Sequence, residues 1–191
     1  MELFKCDGGQ IVLPFELPLI DREDGGNLVV VPPREVWERS ELDREELVEW
    51  SLLVAATGSA MLEALPQLEG GCINYWEAGN WSLNEDAEPI GPKTAPLSRK
   101  VHMHLLGRSR NAKSESWRWG EAPKFPDFKD RFTWAANNRP LTPSECRDVV
   151  YRVTKTLLDK YEFTPSRVVP FSTCAKCGYP TCGQYHECSS N

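Results

Sequence analysis

Histidine is scarce in this chain: three residues among 191, at positions 102, 104 and 186. Imidazole chemistry must therefore happen where those few residues stand. Long apolar runs are also missing, none approaching the roughly 20 residues of a bilayer-spanning helix, so no membrane span is expected. The first twenty residues are acidic and interrupted by Pro14 and Pro18. They lack the basic start and apolar middle of a secretory signal. The seven cysteines are odd in number, and four of them crowd between 174 and 188. That pattern argues against a disulfide-stapled secreted scaffold and for a reducing, cytoplasmic setting. Basic charge is thin in the first half: residues 1–98 hold 6 Lys and Arg against 19 Asp and Glu, whereas residues 99–131 hold 9 against 4. The net charge of −6 does not suggest a bulk nucleic-acid binder. The local positive excess falls beside His102 and His104, where an anionic ligand would want it. No internal repeat is present.

What is there suffices for one domain, since 40% apolar composition can bury a sizeable core. Edge strands are expected at Gln10–Phe15 and near Leu17–Asp21. After the Asp24-Gly25-Gly26 turn signal, Leu28–Val31 reads as a buried strand ended by Pro32-Pro33. Asp43 with Glu46 three residues on is a capping signal opening a helix to about Leu65. Its apolar face runs through Leu47, Trp50, Val54 and Met61, with Gly58 permitting close packing. Cys72–Trp76 is a short strand, followed by a long polar loop to about Ser98. Residues 109–141 are aperiodic yet rich in Trp and Phe. They read as a loop pinned to the core by its rings, or as a lid that stacks on a base or closes the histidine site. Thr142-Pro143-Ser144-Glu145 opens a second amphipathic helix to about Tyr161.

The chemistry centres on Lys100-Val-His102-Met-His104-Leu-Leu-Gly107-Arg108. If Arg99–Arg108 is a strand, residues i and i+2 share a face. Lys100, His102, His104 and Leu106 then project together, and Val101, Met103 and Leu105 face the core. Two adjacent imidazoles can share one small anionic or metal-bound ligand.

Gly26-Asn-Leu-Val-Val-Val-Pro32, then Arg34-Glu-Val36 and Leu42-Asp-Arg-Glu-Glu-Leu47, together with the 100–108 stretch, resembles the histidine triad (HIT) superfamily over about residues 10–110. The trailing Leu105-Leu-Gly-Arg108 aligns His104 with the third triad histidine, His102 with the middle one and Lys100 with the first. A frame one step later, with His104 in the middle and Leu106 third, loses the Gly-Arg ending. Asn27 stands where the first strand motif of the family has histidine.

The resemblance implies an α+β fold: an antiparallel sheet of about five strands with two packed helices, over residues 1–163, often paired into homodimers. It implies a nucleotide hydrolase or nucleotidyl transferase acting at a nucleoside α-phosphate, for instance on dinucleoside polyphosphates or nucleoside phosphoramidates. His102 would attack phosphorus and carry a covalent nucleotidyl group, with His104 assisting, and no cofactor would be required for catalysis. A backbone carbonyl at the first triad position would orient the middle imidazole, a role any residue can fill. Lys100, Asn74, Ser98 and Arg108 are the expected phosphate- or nucleotide-binding residues, with Arg99 near them. The alternative is a non-catalytic nucleotide- or RNA-binding module on a degenerate scaffold of this kind. A third reading, both histidines as metal ligands, is poorer because no carboxylate or third imidazole shares their face.

Residues 164–191 read as a linker and a Cys-rich tail. Cys174, Cys177, Cys182 and Cys188, with His186 as alternative fourth ligand, resemble a zinc knuckle in which a cysteine replaces histidine. A structural zinc would order a segment without its own core. Tyr179 and Tyr185 could stack on nucleic acid, although the tail carries little positive charge.

Overall fold

The computed structural model describes residues 1–77, 79–163 and 171–182, and only the backbone of residues 171, 172, 181 and 182. The architecture is α+β. Five strands, β1 (Glu2–Cys6), β2 (Gly9–Val12), β3 (Asn27–Val31), β4 (Cys72–Glu77) and β5 (Met103–Arg108), form an antiparallel sheet in the order β1-β2-β3-β5-β4. The two long helices, α1 (Arg44–Ala64) and α4 (Pro143–Asp159), pack against each other and the sheet, and two short ones are α2 (Ala95–Ser98) and α3 (Arg131–Ala136). A separate ribbon pairs β6 (Phe171–Thr173) with β7 (Pro180–Cys182).

Both long helices start where their caps require. The Asp43 carboxylate accepts the Glu46 N–H at 2.9 Å, and the Glu46 carboxylate accepts the Asp43 N–H at 3.0 Å. Thr142 and Glu145 make the same reciprocal pair at the start of α4. By length and composition α1 is apolar enough to cross a membrane, against the expectation of no such run. Its Trp50, Leu53, Ala56, Ala60 and Met61 are instead buried against the sheet and α4. A Cβ at Gly58 would fall 2.1 Å from the Tyr75 hydroxyl, so the missing side chain lets α1 approach β4 closely.

The first strands differ from expectation. β1 begins at Glu2 and pairs with β2 through a turn at Asp7-Gly8, whereas residues 17–21 form no strand. The reason is that Leu3, Phe4 and Cys6 have a core to enter, while Pro14 and Pro18 remove the donors a ladder needs. The stretch between 109 and 141 is also not free of regular structure, since it contains α3.

The histidine strand is shorter than expected, beginning at Met103 instead of Arg99. Its alternation nevertheless extends backwards. Val101 is buried and donates its N–H to the Val36 carbonyl at 2.8 Å, so Val101, Met103 and Leu105 all enter the helix-side core. The opposite face carries His104, Leu106 and, from β4, Trp76, and is roofed by Leu19, Ile20, Trp117, Trp81 and Phe125.

That roof is fastened at several points. Buried Asp24 accepts the N–H groups of Lys113 and Ser114 at 2.6 and 3.1 Å. The Trp117 indole donates to the Gly107 carbonyl at 2.7 Å, and Trp134 to the Leu19 carbonyl at 2.8 Å. The aromatic segment therefore does pin itself by its rings.

The ribbon is fastened too. Tyr179 is buried in the main core, donates its hydroxyl to the Leu141 carbonyl at 2.9 Å and meets Phe15 edge-on. Its ring is thus not available to stack on nucleic acid, the minor reading the sequence left open, because the core has claimed it.

Candidate active site

His102 and His104 meet on the open face of the sheet. His102 Nδ1 lies 2.8 Å from the Lys100 carbonyl, and the two Nε2 atoms are 3.0 Å apart. A carbonyl only accepts, so His102 Nδ1 carries a proton, and in that tautomer Nε2 presents its lone pair. The proton between the rings then belongs to His104, which donates Nε2–H to His102. His104 Nδ1 is shielded and has no hydrogen-bond partner among the described residues. Burial, reinforced by the neighbouring His102, pushes the His104 imidazole down to about 3, so it is a neutral donor at physiological pH.

A cavity of about 670 Å³ opens over the pair, within the size range of small-molecule sites. Its walls are largely apolar, with Leu17, Leu19, Trp76, Trp81 and Phe125 prominent among them. Trp76 lies directly opposite His104 on β4, its ring 5.5 Å from the imidazole, and stacks on Phe125 at 4.2 Å. Trp76 and Trp81 are outside the expected site, whereas Phe125 lies in the 109–141 stretch, one reading of which is a lid that closes the histidine site. The Trp- and Phe-rich composition of 109–141 was the one signal for Phe125, and Trp76 carried no signal beyond its place in a strand.

The expected anion-binding residues separate. Lys100 and Ser98 line the cavity with the histidines, and Lys100 Nζ pairs with exposed Glu35. Asn74 sits opposite Leu106, two residues from Trp76 and so on the same face, but it does not line the cavity. Arg108 is buried elsewhere. Its guanidinium donates to the Arg118 and Glu121 carbonyls at 2.6 and 2.9 Å and lies 4.4 Å from the Trp117 ring. Arg99 is engaged by Glu38 and Glu77, Lys113 by Glu23 and Arg118 by Glu115. Most of the local basic excess is therefore spent on the scaffold, and among the described residues Lys100 is the one Lys or Arg lining the cavity.

In the tail, Cys174 and Cys177 bracket a turn closed by the Gly178 N–H donating to the Cys174 carbonyl at 2.8 Å. Gly178 takes a φ of 76°, which favours glycine there. The Cys182 side chain and residues His186 and Cys188 lie outside the described residues, and no group of three metal-ligating side chains forms among those described.

No protein-family model matches the chain, and no curated protein matches it either.

Proposed function

We propose that the chain is a HIT-type nucleotide hydrolase or nucleotidyl transferase that works through a covalent nucleotidyl-histidine. One observation carries this reading: His102 is anchored through Nδ1 to the Lys100 carbonyl, and its ring lines a largely apolar cavity. The anchoring uses a backbone atom, so lysine at position 100 does not remove it. The lysine side chain adds a cation at the mouth, beside Ser98, for a phosphoryl oxygen.

In this mechanism His102 Nε2 attacks the α-phosphorus, and a P–N bond forms as the bond to the leaving group breaks. The leaving group departs with that electron pair and is protonated by solvent. His104 holds its N–H toward the charge developing on phosphorus. Water, or another acceptor, then displaces the imidazole and releases the nucleoside monophosphate, losing its proton to solvent.

The non-catalytic alternative has one observation in its favour. The lone pair that would attack phosphorus already accepts a hydrogen bond from His104. Turnover separates the two readings. The purified protein is expected to release nucleoside monophosphate from nucleoside phosphoramidates, dinucleoside polyphosphates or nucleotide sugars, and His102→Ala to lower that rate at least about a thousandfold. Tight nucleotide binding without release, or a His102→Ala variant of unchanged rate, would defeat the enzymatic reading.

The Cys174–Gly178 turn supports a structural zinc held by Cys174, Cys177, Cys182 and either Cys188 or His186. Among the described residues strand β4 ends the sheet with no further strand paired to it, and that edge supports pairing of two copies.

A further inference from the structure

We infer that Trp76 is the positioning residue for His104, and that the imidazole so held covers the His102 lone pair until an anionic ligand oxygen draws the His104 N–H away. The inference rests on His102 being the nucleophile.

A working histidine usually has its ring fixed by a hydrogen bond on the nitrogen that does no chemistry. His104 has no such bond, because its Nδ1 is shielded and unpartnered among the described residues. Something else must aim the ring, and packing supplies it. Trp76 is the direct cross-strand neighbour of His104, with the two ring planes tilted by 36°. The indole also stacks on Phe125 with an interplanar angle of 15°. Phe125 meets Trp117 edge-on at 5.9 Å, and Trp117 is tied by its N–H to the Gly107 carbonyl of β5. A row of rings thus runs from the backbone of the histidine strand back to His104, and it replaces the missing hydrogen bond.

The aim it enforces has a consequence for reactivity. At 3.0 Å the His104 N–H is bonded to the lone pair that must attack phosphorus. Attack requires that bond to be given up, and the N–H must find another acceptor or be left unpaired in an apolar pocket. A phosphoryl oxygen is the acceptor that suits. Hydrogen bonds to an ionised acceptor are roughly twice as strong as neutral ones, so an anionic ligand outcompetes an imidazole nitrogen. A neutral ligand does not. Burial keeps His104 neutral, so the exchange moves a hydrogen bond and no proton changes owner. The nucleophile is therefore exposed by the substrate itself and covered at other times.

The test reads the hydrogen bond directly. In full-length, 15N-labelled protein, scalar coupling between the two Nε2 atoms across the bond is expected in the free state and with saturating adenosine. It is expected to vanish with saturating adenosine monophosphate, while the His104 N–H signal persists. Trp76→Leu should abolish the coupling in the free protein and speed diethyl pyrocarbonate modification of His102 severalfold, and Trp76→Phe should restore both. Absence of coupling in the free wild-type protein overturns the inference, as does coupling that survives adenosine monophosphate or the Trp76→Leu change. Because none of these readouts needs turnover, a positive result in a catalytically silent protein would defeat the hydrolase reading by itself. Failure to bind any of adenosine, guanosine, cytidine or uridine monophosphate would overturn both.

Discussion

His104 is neutral in the folded chain for a reason that can be measured. Its imidazole titrates near 6.5 when exposed and is pushed to about 3 by burial and by His102. Above pH 6.5 both folded and unfolded chains hold it neutral, so it costs nothing. Below that the unfolded chain takes up the proton first, and stability is lost as pH falls from 6.5 toward 3. At pH 5 the loss from this group is about 2 kcal/mol. Urea unfolding at pH 7 and pH 5 should therefore show the wild-type protein losing about that much more than His104→Asn. Equal losses would mean the ring is not held neutral by the fold. Lys100 and Arg108 make a second contrast, because sequence alone gives both the same anion-binding role. Lys100 remains at the cavity mouth, so Lys100→Met should make nucleotide binding weaker and less salt-dependent. Arg108 is spent on two loop carbonyls, and its removal should leave the salt dependence unchanged.

Arg108 acts instead on the aromatic segment that roofs the site. Arg108→Met removes two charge-assisted hydrogen bonds and the contact with Trp117. It is expected to cost about 2–3 kcal/mol and to raise KM more than it lowers kcat, as Phe125 loses its support. A variant as stable as wild type with unchanged KM would contradict that role. Elements with local signals were legible from sequence: the Asp43 and Thr142 capping boxes mark the starts of their helices, and the i, i+2 spacing of the histidines places both rings together. Elements defined by distant partners were not. β1 has only Leu3, Phe4 and Cys6 to mark it, and they become a strand because a core awaits them. Trp76, Trp81 and Phe125 reach the cavity from three separate segments, which no periodicity in any one of them announces.

Taken as a whole, the molecule does not treat its tail as an appendage. Tyr179 fills the main core beside Phe15 and hydrogen-bonds Leu141, so Tyr179→Ala should destabilise the entire fold by about 3 kcal/mol. A midpoint of unfolding indistinguishable from wild type would show the ribbon to be energetically separate. If zinc completes the ribbon, metal analysis should find about one equivalent per chain, and a chelator should lower Tm by a comparable route. The central claim remains the nucleophilic role of His102, and its most direct measurement is intact mass after brief reaction with an adenosine phosphoramidate, quenched without acid. The predicted result is a single adenylyl adduct that maps to His102 and is absent from His102→Ala. No adduct in a protein that binds the nucleotide, or an adduct at another residue, would contradict it.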